Sequence, residues 1–155
     1  MASWREMYPL EKIKPLKKTF GPAFGWLIVF AIFIFTFSAT GFVNGVFISI
    51  ALYILIVLAS YVFQYYYFKS YFYNATKDTL VIKKGVFTKN EINLPFKRIQ
   101  DVYVDQDILD RIFGLYDVNV SSATAISAYL SHIDGLNKEN SEKVKKLIMK
   151  AVHKK

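Results

Sequence analysis

Few residues in this chain could do covalent chemistry, and their spacing does not bring them together. His132 and His153 are the two imidazoles. Neither stands in a Ser-His-Asp order or an HxxxH spacing that would make it a general base or a metal ligand. Asp105, Asp107 and Asp110 suggest a calcium loop at first sight. The sixth position of such a loop would be Asp110 in place of glycine, and the twelfth Tyr116 in place of glutamate. These acids therefore read as helix capping and solvation. The absence of cysteine excludes disulfide staples, a thiol nucleophile and every Cys-containing zinc site. Seven glycines form no phosphate-cradling loop, and two of them, Gly21 and Gly25, open an apolar stretch. No enzyme, no cofactor and no metal are expected.

Binding chemistry is better represented. Arg98 and Gln100 share one strand face if the alternation around them holds, opposite Ile99 and Asp101. They follow Pro95, which cannot donate a ladder hydrogen bond and suggests an edge or a bulge. Their structural use would be to tie down a neighbouring loop or helix, and their functional use to contact a partner. Lys83, Lys84 and Lys89 gather near one predicted turn and are candidate lipid-facing cations.

The elements that must carry these residues follow from an uneven distribution of charge. The 155 residues are 54% apolar and 17% aromatic with a formal charge of +8, yet the positions from Thr19 to Phe68 contain no Asp, Glu, Lys or Arg. A single helix over that run would extend about 75 Å against a hydrocarbon core of about 30 Å, so the run must cross a bilayer twice. Asn44-Gly45 is the natural break, placing helices at about 22–43 and 46–68. Pro22 suits a first helical turn. Trp26 near one end and Tyr61, Tyr65, Tyr66, Tyr67, Tyr71 and Tyr73 near the other resemble interfacial aromatic belts. The Gly21–Gly25 spacing reads as local packing in place of a helix-association motif. Residues 1–18 carry Arg5, Lys12, Lys14, Lys17 and Lys18 against Glu6 and Glu11, while the loop between the helices is uncharged. By the positive-inside rule both termini are cytoplasmic in a multi-pass cell-membrane protein. The basic pI then reflects topology, and no nucleic-acid partner is expected. The organisation is a basic segment over 1–21, a hairpin over 22–68 and a cytoplasmic domain over 69–155.

From Lys69 onward short apolar alternations are separated by turn residues. Leu80 and Ile82 mark a strand ending at Lys84-Gly85, and Val86 to Leu94 marks another with Asn90 as a bend. Ile99, Val102 and Val104 alternate with Asp101, Tyr103 and Asp105 in a half-buried strand. Asp107 to Gly114 reads as a two-turn helix capped by Asp107 and stopped by Gly114. Tyr116 to Val120 and Ala125 to Ile133 are further strands, closed by Asp134-Gly135. Val144, Leu147, Ile148, Ala151 and Val152 define an amphipathic final helix, with Asn140 or Ser141 as its cap.

Taken together, Leu80-Val81-Ile82-Lys83-Lys84-Gly85-Val86, Ile92-Asn93-Leu94-Pro95-Phe96-Lys97-Arg98-Ile99-Gln100-Asp101-Val102 and Leu109-Asp110-Arg111-Ile112-Phe113-Gly114-Leu115 resemble the bacterial pleckstrin-homology-like domain of YdbS-like membrane proteins. The resemblance covers about residues 22 to 150. It implies an α+β membrane protein: a two-helix transmembrane hairpin followed by a PH-like split β-barrel capped by a C-terminal helix. The motif residues it singles out as structural or partner-binding are Gly85, Pro95, Arg98, Ile99, Gln100, Leu109, Arg111, Phe113 and Gly114. Ser121-Ser122-Ala123-Thr124 stands where the family usually has a Gly-containing turn. The expected function is a membrane-anchored binding or scaffold module at the cytoplasmic face. Its partners would be the lipid bilayer and a membrane protein, either a related PH-like protein or a second copy. The alternative is a small membrane component of transport, toxic-peptide immunity or envelope-stress resistance.

Overall fold

The computed structural model describes residues 3–122 and 131–153. Helix α1 (Trp4–Met7) is followed by two long helices, α2 (Lys14–Ala39) and α3 (Val43–Ser70), of 26 and 28 residues. At about 1.5 Å per residue each exceeds the roughly 30 Å of a hydrocarbon core. Both are apolar enough to cross a membrane, and their apolar side chains face outward, as at Phe35 and Leu55. The two helices touch through Phe30 and Tyr53, whose ring centroids are 5.6 Å apart, and through the Tyr53 hydroxyl, which donates to the Ala23 carbonyl.

The hairpin turn lies earlier than Asn44-Gly45. Gly41 takes φ 73, the Phe42 N–H donates to the Phe37 carbonyl at 2.9 Å, and the Gly41 N–H donates to Ser38 at 3.2 Å. Those two bonds satisfy the last carbonyls of α2 in a Schellman arrangement, and the Phe37 and Phe42 rings close over it with centroids 5.5 Å apart. Asn44 and Gly45 thereby fall in the first turn of α3. Gly45 is needed there for room, because a Cβ would strike the Phe42 ring and come within 2.8 Å of Phe37. Pro22 is likewise inside α2, and Pro15 occupies its first turn. Among the described residues, nothing beyond the neighbouring backbone of its own helix lies within 4 Å of where a Gly25 side chain would begin, so the Gly21–Gly25 spacing brings no second element close at Gly25.

The rest of the chain forms two three-stranded antiparallel sheets and a helix. The first sheet has the order β1 (Phe72–Ala75), β2 (Thr79–Lys84) and β3 (Asn90–Pro95). A single 3-10 turn, Phe96–Arg98, leads to the second sheet, with β4 (Ile99–Asp105), β5 (Tyr116–Ser122) and β6 (His132–Leu136) in order. Helix α4 (Ile108–Phe113) joins β4 to β5, and α5 (Lys138–His153) packs on β4, β5 and the 3-10 turn. Alternation supplies the core: Leu80 and Ile82 from β2, Val118 and Val120 from β5, and Val144 and Ile148 from α5 are buried. The α+β architecture is the expected one.

Local details differ in ways with physical causes. Strand β1 has no counterpart in the sequence reading, because Tyr71 and Tyr73 continue an aromatic run that looks interfacial. Both are core residues at 2% and 0% exposure. Residues 85–89 form the turn between β2 and β3, so the strand expected from Val86 begins only at Asn90. In β4 a register shift between Ile99 and Asp101 turns Asp101 outward with Gln100. Helix α5 starts before Asn140: the Asn137 Oδ1 accepts from the Asn140 N–H at 2.8 Å and acts as its cap. The strand expected over Ala125 to Ile133 lies largely outside the described residues.

The chain divides into two compact units, Pro15–Phe68 and a second made of Met1–Lys14 with Lys69–Lys155. The first fourteen residues, within the basic segment read over 1–21, cluster with residues 69–155.

Candidate functional site

Tyr71 follows the last residue of α3, and Lys14 is the first residue of α2, so both stand where the chain passes between the domain and its apolar helices. The Lys14 ammonium lies 3.8 Å from the centroid of the Tyr71 ring. It also donates to the Asp134 carboxylate at 2.8 Å and to the Asp134 carbonyl at 3.0 Å. The side chains of this ion pair are 2% and 5% exposed. A buried cation is tolerable only when such partners replace its hydration, and here a carboxylate, a carbonyl and an aromatic face do so. The stem of Lys14 fits against Gly135, whose φ of 83 and missing Cβ leave space for it.

The segment before Lys14 is held by further bonds. The Tyr73 hydroxyl donates to the Tyr8 carbonyl, the Trp4 N–H donates to the Asn74 Oδ1 at 3.1 Å, and the Glu11 N–H donates to the Gly135 carbonyl at 2.8 Å. The Asn137 Nδ2 donates to the Glu11 carboxylate at 2.9 Å, and Leu10 is 3% exposed. Burial pushes the Tyr73 phenol well above its ordinary range, with a smaller opposing pull from Arg5. Burial likewise lowers the Arg5 guanidinium, which donates to the Tyr71 carbonyl at 3.4 Å. Sequence reasoning missed this cluster because its members are far apart in the chain and show no local periodicity.

Beside Tyr71 lies a depression of about 350 Å³ whose lining includes Ser70, Phe72, Lys83, Lys84, Lys89 and Glu91. Of the three candidate lipid-facing lysines, Lys89 is exposed and Lys83 pairs with Glu91 at 2.9 Å. That hydrogen bond holds the Glu91 carboxyl below its ordinary value. Lys84 is 7% exposed, with its ammonium 5.4 Å from the Tyr71 centroid. It faces inward, because alternation along β2 places it on the core side with Leu80 and Ile82.

The family-motif residues separate into buried and exposed sets. Gly85 takes φ 115 at the start of the β2–β3 turn, where a Cβ would collide with the Thr88 carbonyl. Pro95 ends β3 and precedes the 3-10 turn, Ile99 is buried, and Leu109 and Phe113 are half-buried on the inner side of α4. Asp107 caps α4 in a reciprocal arrangement with Asp110, and Gly114 ends it in the left-handed region. Arg98, Gln100 and Arg111 are exposed and make no hydrogen bond or ion pair among the described residues. His132 contributes a backbone carbonyl to the Tyr71 hydroxyl, and the His153 ring contacts the Met149 carbonyl. Among the described residues no group of three His, Asp or Glu side chains could hold a metal ion.

Two antiparallel sheets with a C-terminal helix define a PH-like domain, preceded here by two candidate membrane spans. The family model for the bacterial PH domain matches residues 23–152, more than half of the chain, and the chain belongs to that family. No curated protein and no solved structure matches it. The matched region starts after Lys14, so the segment that supplies the buried cation lies outside it.

Proposed function

We propose that the protein is a membrane-anchored binding module: the hairpin crosses the membrane twice, both termini are cytoplasmic, and the PH-like domain engages a membrane-protein partner, either a related PH-like protein or a second copy. The observation that carries this reading is the buried Lys14–Asp134 pair. Residues on either side of the hairpin share one folded core, which requires an even number of crossings. The basic flanks around an uncharged turn favour the cytoplasm for that core.

The exposure of Arg98 and Gln100 supports a binding use. Among the described residues neither side chain makes a hydrogen bond or ion pair, and both are exposed. The test is affinity purification from detergent-solubilised membranes with Arg98→Ala and Gln100→Ala combined. Stability should stay within about 0.5 kcal/mol of wild type, as for most surface changes. Co-purifying membrane protein should fall sharply. Undiminished co-purification would remove these residues from the interface.

A further inference from the structure

Two exposed apolar features sit at the ends of the sheets where the chain enters its long helices. On α4, Ile108 and Ile112 are 78% and 67% exposed. Four residues apart, they share the outer face of the helix. The inner face is already used, with Leu109 and Phe113 half-buried and Asp110 buried. On the β2–β3 turn, Phe87 is 89% exposed.

The register fixes where these features lie within the domain. Asp105, at the end of β4 that leads into α4, pairs with Asp117, whose carboxylate accepts from the Gly135 N–H at 2.9 Å. Gly135 holds the stem of Lys14, the first residue of α2. The β2–β3 turn starts beyond the Phe72–Lys83 pair, and Ser70, the last residue of α3, lines the same depression as Lys89. The Tyr71 ring joins the two places through Lys14.

From this arrangement we infer that Ile108, Ile112 and Phe87 enter the headgroup–acyl boundary of the leaflet from which the spans emerge, so that the PH-like domain lies on the bilayer as well as being tethered to it. The inference rests on the membrane-anchored reading above. The occupant is lipid because both features lie at the end of the sheets that carries Lys14 and Ser70, where the chain leaves the domain for its apolar helices. An isoleucine pair or a phenylalanine near a cation suits that boundary. Arg111 lies between Ile108 and Ile112, and Lys83 and Lys89 flank Phe87. Arg111 and Lys89 are exposed and can meet anionic headgroups while their neighbours enter the acyl region, whereas Lys83 is paired with Glu91. The opposite end of the first sheet, at Lys77, carries no large exposed apolar side chain between Thr76 and Thr79.

The cysteine-free full chain allows a direct test. Environment-sensitive fluorophores are attached at Ile108→Cys, Ile112→Cys and Lys77→Cys in protein reconstituted into vesicles containing phosphatidylglycerol and brominated phospholipid. A fourth label at Leu55→Cys, inside α3, reports the span itself. Labels at 108 and 112 should emit to the blue of the label at 77 and lose roughly half their intensity to the bromine, as expected for side chains about 5–10 Å into the boundary. Equal, water-like emission at 77, 108 and 112 with Leu55→Cys quenched would overturn the inference and leave the anchor intact. A blue shift at 108 and 112 without bromine quenching would mean protein covers α4, and would also overturn it. Loss of quenching at Leu55→Cys would remove the anchor and the inference together.

Discussion

Lys14 and Asp134, 120 positions apart, form a buried ion pair at 2.8 Å that fastens the start of the first long helix to the last strand of the domain. Removing one partner leaves the other charge buried without its counter-ion, which costs about 3 to 5 kcal/mol. Lys14→Met and Asp134→Leu should each make the domain sensitive to protease in detergent micelles. The double variant should recover much of the loss, because a well-packed apolar pair can replace a buried ion pair.

Residues 1–14 complete the core, so the segment 69–155 alone should not fold. It would lack Leu10 against the core and the cation that neutralises Asp134. A chain in which residues 1–14 are joined to 69–155 through a flexible linker should show dispersed amide resonances and cooperative unfolding. Cooperative unfolding of 69–155 by itself, with the same midpoint, would show the N-terminal segment to be an ornament on a complete domain.

Tyr73 should make the domain sensitive to alkali. Its phenol is raised by burial, so the folded state keeps the proton at pH values where the unfolded chain releases it. The sign follows from linkage: the contribution is complete below the ordinary phenol value of about 10 and is lost as pH rises from there toward the higher folded value. Tyr73→Phe should lose about 0.5 to 1.5 kcal/mol at neutral pH, because the Tyr8 carbonyl loses its donor, and its stability should fall less steeply above about pH 10. Unfolding midpoints across an alkaline series measure both effects.

Much of the architecture is legible in the sequence because its causes are local. A charge-free run too long for one span forces a hairpin, and Asp107, Asp110 and Gly114 announce the ends of α4 at the positions observed. The hairpin turn is not set by local sequence alone, since Gly41 and Asn44-Gly45 both permit a bend and the Phe37 and Phe42 rings close over the Gly41 turn. Tyr71 and Tyr73 carry the same aromatic signature whether they meet headgroups or a protein core. Only the pairing of β1 with β2 decides between these environments. The inward position of Lys84 follows from alternation along β2, yet a lysine beside a turn suggests solvent. The site around Lys14 was hidden for a further reason. A helix of four residues and a lone cation give no periodic signal, and their partners lie across the whole chain.

Thiol labelling in intact cells tests the central claim, that both ends of the chain form one cytoplasmic domain on a twice-crossing hairpin. Single cysteines at the exposed positions Lys12, Thr40 and Lys150 are exposed to an impermeant reagent before and after lysis. The account predicts labelling of Thr40→Cys alone in intact cells, with Lys12→Cys and Lys150→Cys labelled only after lysis. Labelling of just one of Lys12→Cys and Lys150→Cys in intact cells would place the two ends on opposite sides of the membrane and contradict a shared core around Lys14 and Asp134.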